Sequence, residues 1–452
     1  MSSVIHETVG TISPSLLLSA GSSRTDNHPE VMKHAIITNG IEAVAFNNAT
    51  TIELRNNFSN EIKSGKITSQ EKSGRCWMFA GLNLFRQLVS KKLNVEDFEF
   101  SQNYMMFFDK LEKANYFLES VLRTLNEDVD SRIVMWLMKD PLQDGGQWDM
   151  FTSLIKKYGA IPKPVMPETF HSNNSNVMNQ LLTAKLRQWA AELREESGKG
   201  SAISNLREKK EKYIVEFYRL LSCFLGDPPD SFLFEYNDKK GKHQQIGTLR
   251  PIEFYNEFVG IDPDDYISLI HAPTPDKPFN RSFTIDFLGN VVGGKEIRYL
   301  NIELDEFKKL AVRQIKDREP VWFGCDVRLQ VERKKGLMDP KVYMFDHALG
   351  TTFNLDKTRR LLYGESLLSH AMVFTGVNIR NGKTDRWKVE NSWGEDRGEK
   401  GFFVMSDSWF DEYNYQIVVH RKHISGSMLK AYEADPVVLP PWDPMGSLAM
   451  VK

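Results

Sequence analysis

Apolar residues recur at helical spacing from Cys76 onward. The steps between them are four, three, four and four, through Met78, Leu82, Phe85, Val89 and Leu93. Such spacing places the apolar side chains on one face of an α-helix. Lys91 and Lys92 stand in the last turn, where positive charge complements the helix dipole. The pattern predicts a helix that begins at or just before Cys76.

Further helical segments follow in the first half of the chain. Ser101 is a candidate N-cap for a second helix, and Asp144-Gly145-Gly146 indicates a turn before another helical segment. Residues 172–225 are dense in Lys, Arg, Glu, Leu and Ala, and Gly198-Lys199-Gly200-Ser201 interrupts them. This pattern predicts a helical hairpin, whose charges form either a solvated face or a partner surface.

Strand patterns dominate the second half of the chain. β-Branched or aromatic runs bounded by Gly and Asn occupy Val321 to Val327, Ala371 to Val377, Arg386 to Asn391 and Gly401 to Met405. Prolines cut the stretch up to about residue 290, which we therefore expect to be rich in loops. Helices followed by strands predict an α+β fold.

Composition and charge narrow the possible functions. The chain has 41% hydrophobic residues, enough for a large core, and 58 Lys and Arg against 60 Asp and Glu. The net charge of −2 disfavours nucleic-acid binding. No apolar run approaches the ~18 residues of a membrane span, and no positively charged segment typical of a signal peptide precedes the first apolar run. We expect no membrane association.

The three cysteines are widely spaced and form no CxxC pair or Cys/His cluster. This usage predicts a reduced, cytoplasmic protein without a disulfide, metal or cofactor. Cys223 and Cys325 stand in apolar runs and are interpreted as core residues, whereas His347 is interpreted as structural.

Cys76 has a distinctive setting, because it follows Gly74 and Arg75 at the predicted helix start. Unpaired backbone N–H groups and the helix dipole favour a thiolate there, so we expect a lowered pKa. A thiolate nucleophile needs a base and an orienting group. The alternative is a buried small hydrophobe.

His370 and Asn391 are candidates for those two roles. His370 enters an apolar strand, and Asn391 ends the next predicted strand. Antiparallel pairing of the strands would place the amide oxygen on one imidazole nitrogen and leave the other facing the thiol. The alternative for His370 is a satisfied core histidine.

Together these residues resemble the papain-like cysteine peptidases. The shared positions are Gln70, Gly74, Cys76-Trp77, His370-Ala371 and Asn391-Ser392-Trp393-Gly394. Longer motifs resemble the bleomycin hydrolase and bacterial aminopeptidase C branch. They are Ser73 to Trp77, Asp144 to Asp149, Val389 to Asp396 and Pro441 to Gly446. In secreted papains a cysteine stands at the position of Ser73 and a small residue at that of Arg75.

The resemblance implies a role for each residue. Cys76 would attack the scissile carbonyl, His370 would protonate the leaving amine, and Asn391 would orient the imidazole. The Gln70 side chain and the Cys76 backbone N–H would form the oxyanion hole.

Substrate-binding residues are also implied. Trp393 would cover the hydrogen bond between His370 and Asn391. Gly145 and Gly146 would let an extended peptide approach closely, although an ordinary turn remains the alternative. The C-terminal arm would end near Ala449, with its carboxylate close to the substrate's amino group.

The resemblance also divides the chain into segments. They are an N-terminal extension (1–60), a helical subdomain with Cys76 (61–165), a helical and loop insertion for oligomerisation (166–295), a β-rich subdomain with His370 and Asn391 (296–435), and an arm in the cleft (436–452). Insertions of this kind imply a homohexamer.

The expected activity is cysteine aminopeptidase action on peptides through a thioester acyl-enzyme. Two alternatives stay open. One is an amide hydrolase that acts mainly on non-peptide amides. The other is a non-catalytic nucleic-acid-binding protein with the same fold.

Overall fold

The computed structural model describes residues 10–22 and 30–447. Helices α1 to α17 span Pro14–Ser22, Glu30–Asn39, Ile41–Ala45, Asn48–Glu53, Cys76–Leu93, Gln102–Arg123, Arg132–Lys139, Trp148–Tyr158, Phe170–Asn173, Asn176–Gly198, Ile203–Leu225, Pro251–Phe258, Leu304–Lys316, Phe345–Leu349, Lys357–Leu362, Asp407–Tyr413 and Gly426–Glu433. Strands β1 to β14 span Asn60–Glu61, Phe232–Asn237, His243–Leu249, Tyr266–Ile270, Arg281–Ile285, Tyr299–Asn301, Val321–Cys325, Val331–Glu332, Leu337–Met338, His370–Arg380, Lys383–Glu390, Phe402–Ser406, Asn414–His420 and Val437–Leu439. The predicted α+β class is confirmed.

The predicted helices begin at or close to the residues that the sequence indicated as helix starts. α5 begins at Cys76, and α6 follows Ser101, whose side chain accepts a hydrogen bond from the Tyr104 N–H. α8 begins two residues after the Asp144-Gly145-Gly146 turn. The predicted hairpin is the pair α10 and α11.

One large sheet carries most of the strands. Its order is β14-β5-β6-β4-β13-β7-β10-β11-β12-β9-β8, and β1 pairs with β10. β10 lies antiparallel between β7 and β11, with Val373 opposite Glu390. The predicted antiparallel pairing of the His370 and Asn391 strands is therefore confirmed.

The proline-rich stretch is more regular than the sequence suggests. It contains the β2–β3 hairpin, α12 and two strands of the large sheet, β4 and β5. Pro263 and Pro273 flank β4 rather than interrupt it. The expectation of a loop-rich stretch is wrong here, and the large sheet begins before residue 296.

Two hydrophobic cores meet at α5. One joins helices α5, α6, α8, α10 and α11, and the other lies against the large sheet. α5 packs on the helical core and contacts β10. Its first residue is thereby held at the junction between the helical and sheet-bearing parts.

The two other cysteines differ in their surroundings. Cys325 is buried in β7, as predicted, whereas Cys223 is exposed on α11. Leu221 and Leu225 of that helix face the core, and Cys223 lies between them on the other side. Its interpretation as a core residue is therefore wrong. No disulfide links cysteines within the described residues.

No helix in residues 10–22 and 30–447 is long and apolar enough to cross a membrane.

Candidate active site

Cys76 is the first residue of α5, and its side chain is fully buried. The backbone N–H of Ala371 in β10 donates a hydrogen bond to the sulfur. Because Ala371 directly follows His370, this contact brings the thiol to the strand that carries the imidazole.

His370 and Asn391 form a direct hydrogen bond. The imidazole Nε2 donates to the Asn391 Oδ1 at 2.8 Å, and the Ser392 N–H donates to the same oxygen at 2.8 Å. The second bond fixes which side of the amide faces the ring. Within the described residues no hydrogen-bond partner meets His370 Nδ1, so this nitrogen remains available for a proton.

Burial dominates the protonation of this pair. It raises the pKa of the Cys76 thiol to about 12 and lowers the pKa of His370 to about 4. The expected lowering of the thiol pKa is therefore wrong for this closed geometry. The loss of solvation outweighs the hydrogen bonds from the backbone N–H groups of Ala371 and Trp77. Burial thus favours the uncharged form of both groups.

Gln70 lies beside the Asn391 segment. Its N–H donates to the Ser392 carbonyl at 2.8 Å, and the Ser392 hydroxyl donates to the Gln70 Oε1 at 2.7 Å. The Gln70 Nε2 donates to the Ser73 carbonyl at 2.5 Å. An amide nitrogen carries two hydrogens, so the second is left for a further acceptor.

Trp393 covers the imidazole. The two ring centroids are 4.8 Å apart at an interplanar angle of 34°. The indole is itself only partly buried and contacts the edge of Phe403. The ring therefore separates His370 from the solvent on this side.

The two glycines lie in a buried turn. A Cβ on Gly146 would stand 2.5 Å from the Trp77 ring, so the indole excludes any side chain there. The Gly145 carbonyl accepts a hydrogen bond from Lys113 Nζ at 2.6 Å. Packing against Trp77 thus explains Gly146 without a substrate. Ala449 lies outside the described residues.

Asp144 is a supporting residue of the site that the sequence interpretation missed. Its carboxylate accepts hydrogen bonds from four groups. They are the Gly74 N–H (2.9 Å), Lys110 Nζ (2.6 Å), Ser175 Oγ (2.5 Å) and Asn179 Nδ2 (2.7 Å). Burial opposes ionisation, but the Lys110 charge and the Gly74 N–H hold the pKa of Asp144 well below its usual range. The carboxylate thereby anchors the turn before Cys76.

A second buried ion pair ties α5 to β11. Arg86 Nη2 lies 2.7 Å from Glu390 Oε1, and both side chains are buried. Since Glu390 directly precedes Asn391, the pair fixes the amide relative to the helix that carries Cys76.

An open cavity of about 930 Å³ lies next to these residues. Its wall includes Gln70, Gly74, Asp144 and Trp393. No group of three or more metal-ligating side chains occurs in the described part of the chain. The arrangement suits nucleophilic catalysis by a thiol.

The chain is similar to proteins of known activity over most of its length. The profile of the Peptidase C1-like family matches residues 19–446. Aminopeptidase C of Listeria monocytogenes is 49% identical over 93% of this chain and 95% of its own. Bleomycin hydrolase of Gallus gallus is 41% identical over 85% of this chain and 86% of its own.

A solved structure has the same fold. The crystal structure of PepW from Lactobacillus rhamnosis superposes with a TM-score of 0.95 at 44% identity, covering 98% of this chain and 100% of that one. The chain therefore belongs to the Peptidase C1-like family, in the aminopeptidase C and bleomycin hydrolase branch of the papain-like cysteine peptidases.

Proposed function

We propose that this cysteine aminopeptidase releases N-terminal residues from peptides through a Cys76-His370-Asn391 triad. The observation that carries the proposal is the 2.8 Å hydrogen bond from His370 Nε2 to Asn391. This bond leaves Nδ1 for the thiol, and Ala371 brings the sulfur to the same strand. The names of the relatives support aminopeptidase activity.

The reaction begins with proton transfer from Cys76 to His370 Nδ1. The thiolate attacks the scissile carbonyl, and the oxyanion accepts hydrogen bonds from Gln70 Nε2 and the Cys76 N–H. The imidazolium then protonates the leaving amine as the thioester forms. Water hydrolyses the thioester with His370 as base. Asn391 holds the ring through both steps.

The C-terminal arm accounts for the preference for N-terminal residues. A carboxylate near Ala449 would bind the α-ammonium of the substrate and block a longer chain. The described part of the arm supports this role, because Gln147 Nε2 donates to the Ser447 carbonyl at 2.7 Å. Gln147 directly follows the Gly145-Gly146 turn, which the family resemblance assigns to the substrate backbone.

We also propose a cytoplasmic homohexamer that takes peptide substrates and needs no cofactor. Helix α1 supports assembly, because Leu16, Leu17 and Leu18 are 56%, 61% and 76% exposed in the single chain. Sedimentation should give a particle of six times 52.0 kDa. Replacing the three leucines by serine should weaken assembly, whereas replacing the exposed Tyr363 by serine should not. A single-chain particle would refute the assembly.

A second activity has support of its own. One relative is named bleomycin hydrolase, so an amide hydrolase that acts mainly on non-peptide amides is the competing function. The same triad would serve both reactions. The two activities would differ only in the acyl and amine groups of the substrate that the enzyme prefers.

The decisive experiment compares substrates and variants. Wild type should release neutral aminoacyl fluorophores with a free amino group faster than amino-blocked ones. Cys76→Ala and His370→Ala should abolish release in folded protein, whereas Asn391→Ala should retain part of it. Full activity of His370→Ala would refute the triad. Faster turnover of non-peptide amides than of any peptide would favour the second activity.

A further inference from the structure

Two arginines lie against the indole of Trp393. The guanidinium carbons of Arg333 and Arg397 are each 5.4 Å from the ring centroid. Both side chains line the 930 Å³ cavity that also contains Gln70. Because Trp393 lies 4.8 Å from the His370 ring, the two positive charges are close to the candidate reaction centre.

Neither guanidinium has an ion-pair partner within the described residues. Both side chains are exposed to the cavity solvent. An arginine held over an aromatic ring keeps its in-plane N–H groups for a planar acceptor, and a carboxylate fits that fork. The pair is therefore ready to bind an anion from outside the chain.

The charged side chains of the whole cavity wall include more cations than carboxylates. Its cations are Lys72, Arg187, Arg333 and Arg397, and its carboxylates are Glu71, Asp140 and Asp144. Asp144 already pairs with the buried Lys110 at 2.6 Å. Arg187 donates to the backbone carbonyls of Met138 and Lys139, the last two residues of α7, and is thereby fixed in place. Arg333 and Arg397 remain the two cations beside Trp393.

The position of the C-terminal arm indicates how a peptide substrate is oriented in the cleft. Ser447 of the arm contacts Gln147 and the Leu368 carbonyl, and the cavity around residues 441–447 includes neither arginine nor Trp393. In the proposed function the arm holds the amino end of the substrate. The leaving part then extends toward the Trp393 side.

The distances select a position along the leaving part. The His370 and Trp393 ring centroids are 4.8 Å apart, and each guanidinium carbon lies 5.4 Å from the Trp393 centroid. The guanidinium groups are therefore at most roughly 10 Å from the imidazole, the reach of two or three extended residues. We propose that Arg333 and Arg397 form a carboxylate-binding subsite for the second residue of the leaving part. This inference rests on the proposed function.

The subsite selects short peptides by their C-terminal carboxylate, or longer ones by an acidic side chain at the same place. Tripeptides distinguish a C-terminal carboxylate from an acidic side chain as the bound group. The first pair of substrates is Ala-Ala-Ala and its C-terminal amide, and the second pair is the amide of Ala-Ala-Glu and that of Ala-Ala-Gln. Wild type should show kcat/KM about fivefold higher for the anionic member of at least one pair, since two partly exposed ion pairs contribute modestly. Roughly 0.5 M NaCl should reduce this ratio.

The double variant Arg333→Gln/Arg397→Gln should bring the ratio of acid to amide to about one. The double variant Arg219→Gln/Arg359→Gln removes the same charge from exposed positions outside the cavity wall and should keep the wild-type ratio. Equal kcat/KM within both wild-type pairs, with normal release of neutral fluorophores, would overturn the subsite alone. No Cys76-dependent release of those fluorophores would instead overturn the proposed function.

Discussion

Arg75 and Glu168 form a two-pronged ion pair directly before the nucleophile position. Arg75 Nη1 lies 3.1 Å and Nη2 2.8 Å from the two carboxylate oxygens. The Arg75 side chain is 1% exposed and that of Glu168 13%. Arg75 Nε also donates to the Ser73 hydroxyl at 2.8 Å. The pair thus ties the segment before Cys76 to the chain that follows α8.

Glu168→Gln should destabilise the protein by about 3 kcal/mol, because it leaves the Arg75 guanidinium buried without its counter-charge. Chemical denaturation measures this change. Glu433→Gln is the matched control, since the Glu433 pair with Arg421 is exposed and 3.6 Å long, and its effect should be below about 0.5 kcal/mol. Equal stability of the two variants would contradict a structural role for the buried pair.

Gln70→Ala should lower kcat by roughly 10²–10³-fold, the usual effect of removing one oxyanion donor. Ser392→Ala should have a smaller effect, because it removes only the hydroxyl that orients the Gln70 amide. Steady-state kinetics on one aminoacyl fluorophore measures both. A Gln70→Ala enzyme with unchanged kcat would show that this amide does not contact the oxyanion.

The rate at which iodoacetamide labels Cys76 should rise continuously from pH 5 to pH 9. Burial raises the pKa of this thiol to about 12, so higher pH increases the reactive thiolate fraction. The neutral His370, whose pKa burial lowers to about 4, provides no compensating charge in this range. Mass spectrometry of the Cys76 peptide measures the rate. A plateau between pH 5 and pH 8 would indicate a thiolate–imidazolium pair instead.

The sequence predicted the parts of the site that depend on neighbours along the chain. The period from Cys76 located the helix start, and two adjacent strand patterns predicted the antiparallel pairing of the strand that begins at His370 with the strand that leads to Asn391. Only short connections separate those strands, so their antiparallel pairing follows from local signals.

The supporting charges could not be predicted in the same way. Glu168 meets Arg75 only after the chain has passed through four helices, α5 to α8, and no spacing pattern links the two. Asp144 and Lys110 offered a weak signal, a carboxylate beside two glycines and a lysine on an apolar helix face. The predicted lowering of the Cys76 pKa was wrong for a related reason. Segments distant in sequence bury the thiol, and this burial raises its pKa.

Active protein should lack one or more of residues Met450 to Lys452. If the arm ends near Ala449, as the family resemblance implies, the residues beyond it should occupy the cleft until the enzyme removes them. Cys76→Ala cannot cleave its own end and should keep all of them. Intact-mass measurement of both proteins tests this. Full-length, fully active wild type would show that trimming is unnecessary.

Ending the chain before Trp442 should change which substrates are cleaved. The arm is anchored by the buried pair of Asp443 and Lys277 at 2.7 Å and by Trp442, whose ring lies 3.8 Å from the Arg132 guanidinium carbon. Removing it takes away the carboxylate that would pair with the substrate's α-ammonium. Because hydrogen bonds to charged groups are strong, the ratio of free-amine to amino-blocked cleavage should fall by about tenfold or more. Asp443→Asn keeps the arm but weakens its anchor and should give an intermediate ratio. An unchanged ratio in the truncated protein would exclude the arm carboxylate as the group that selects N-terminal residues.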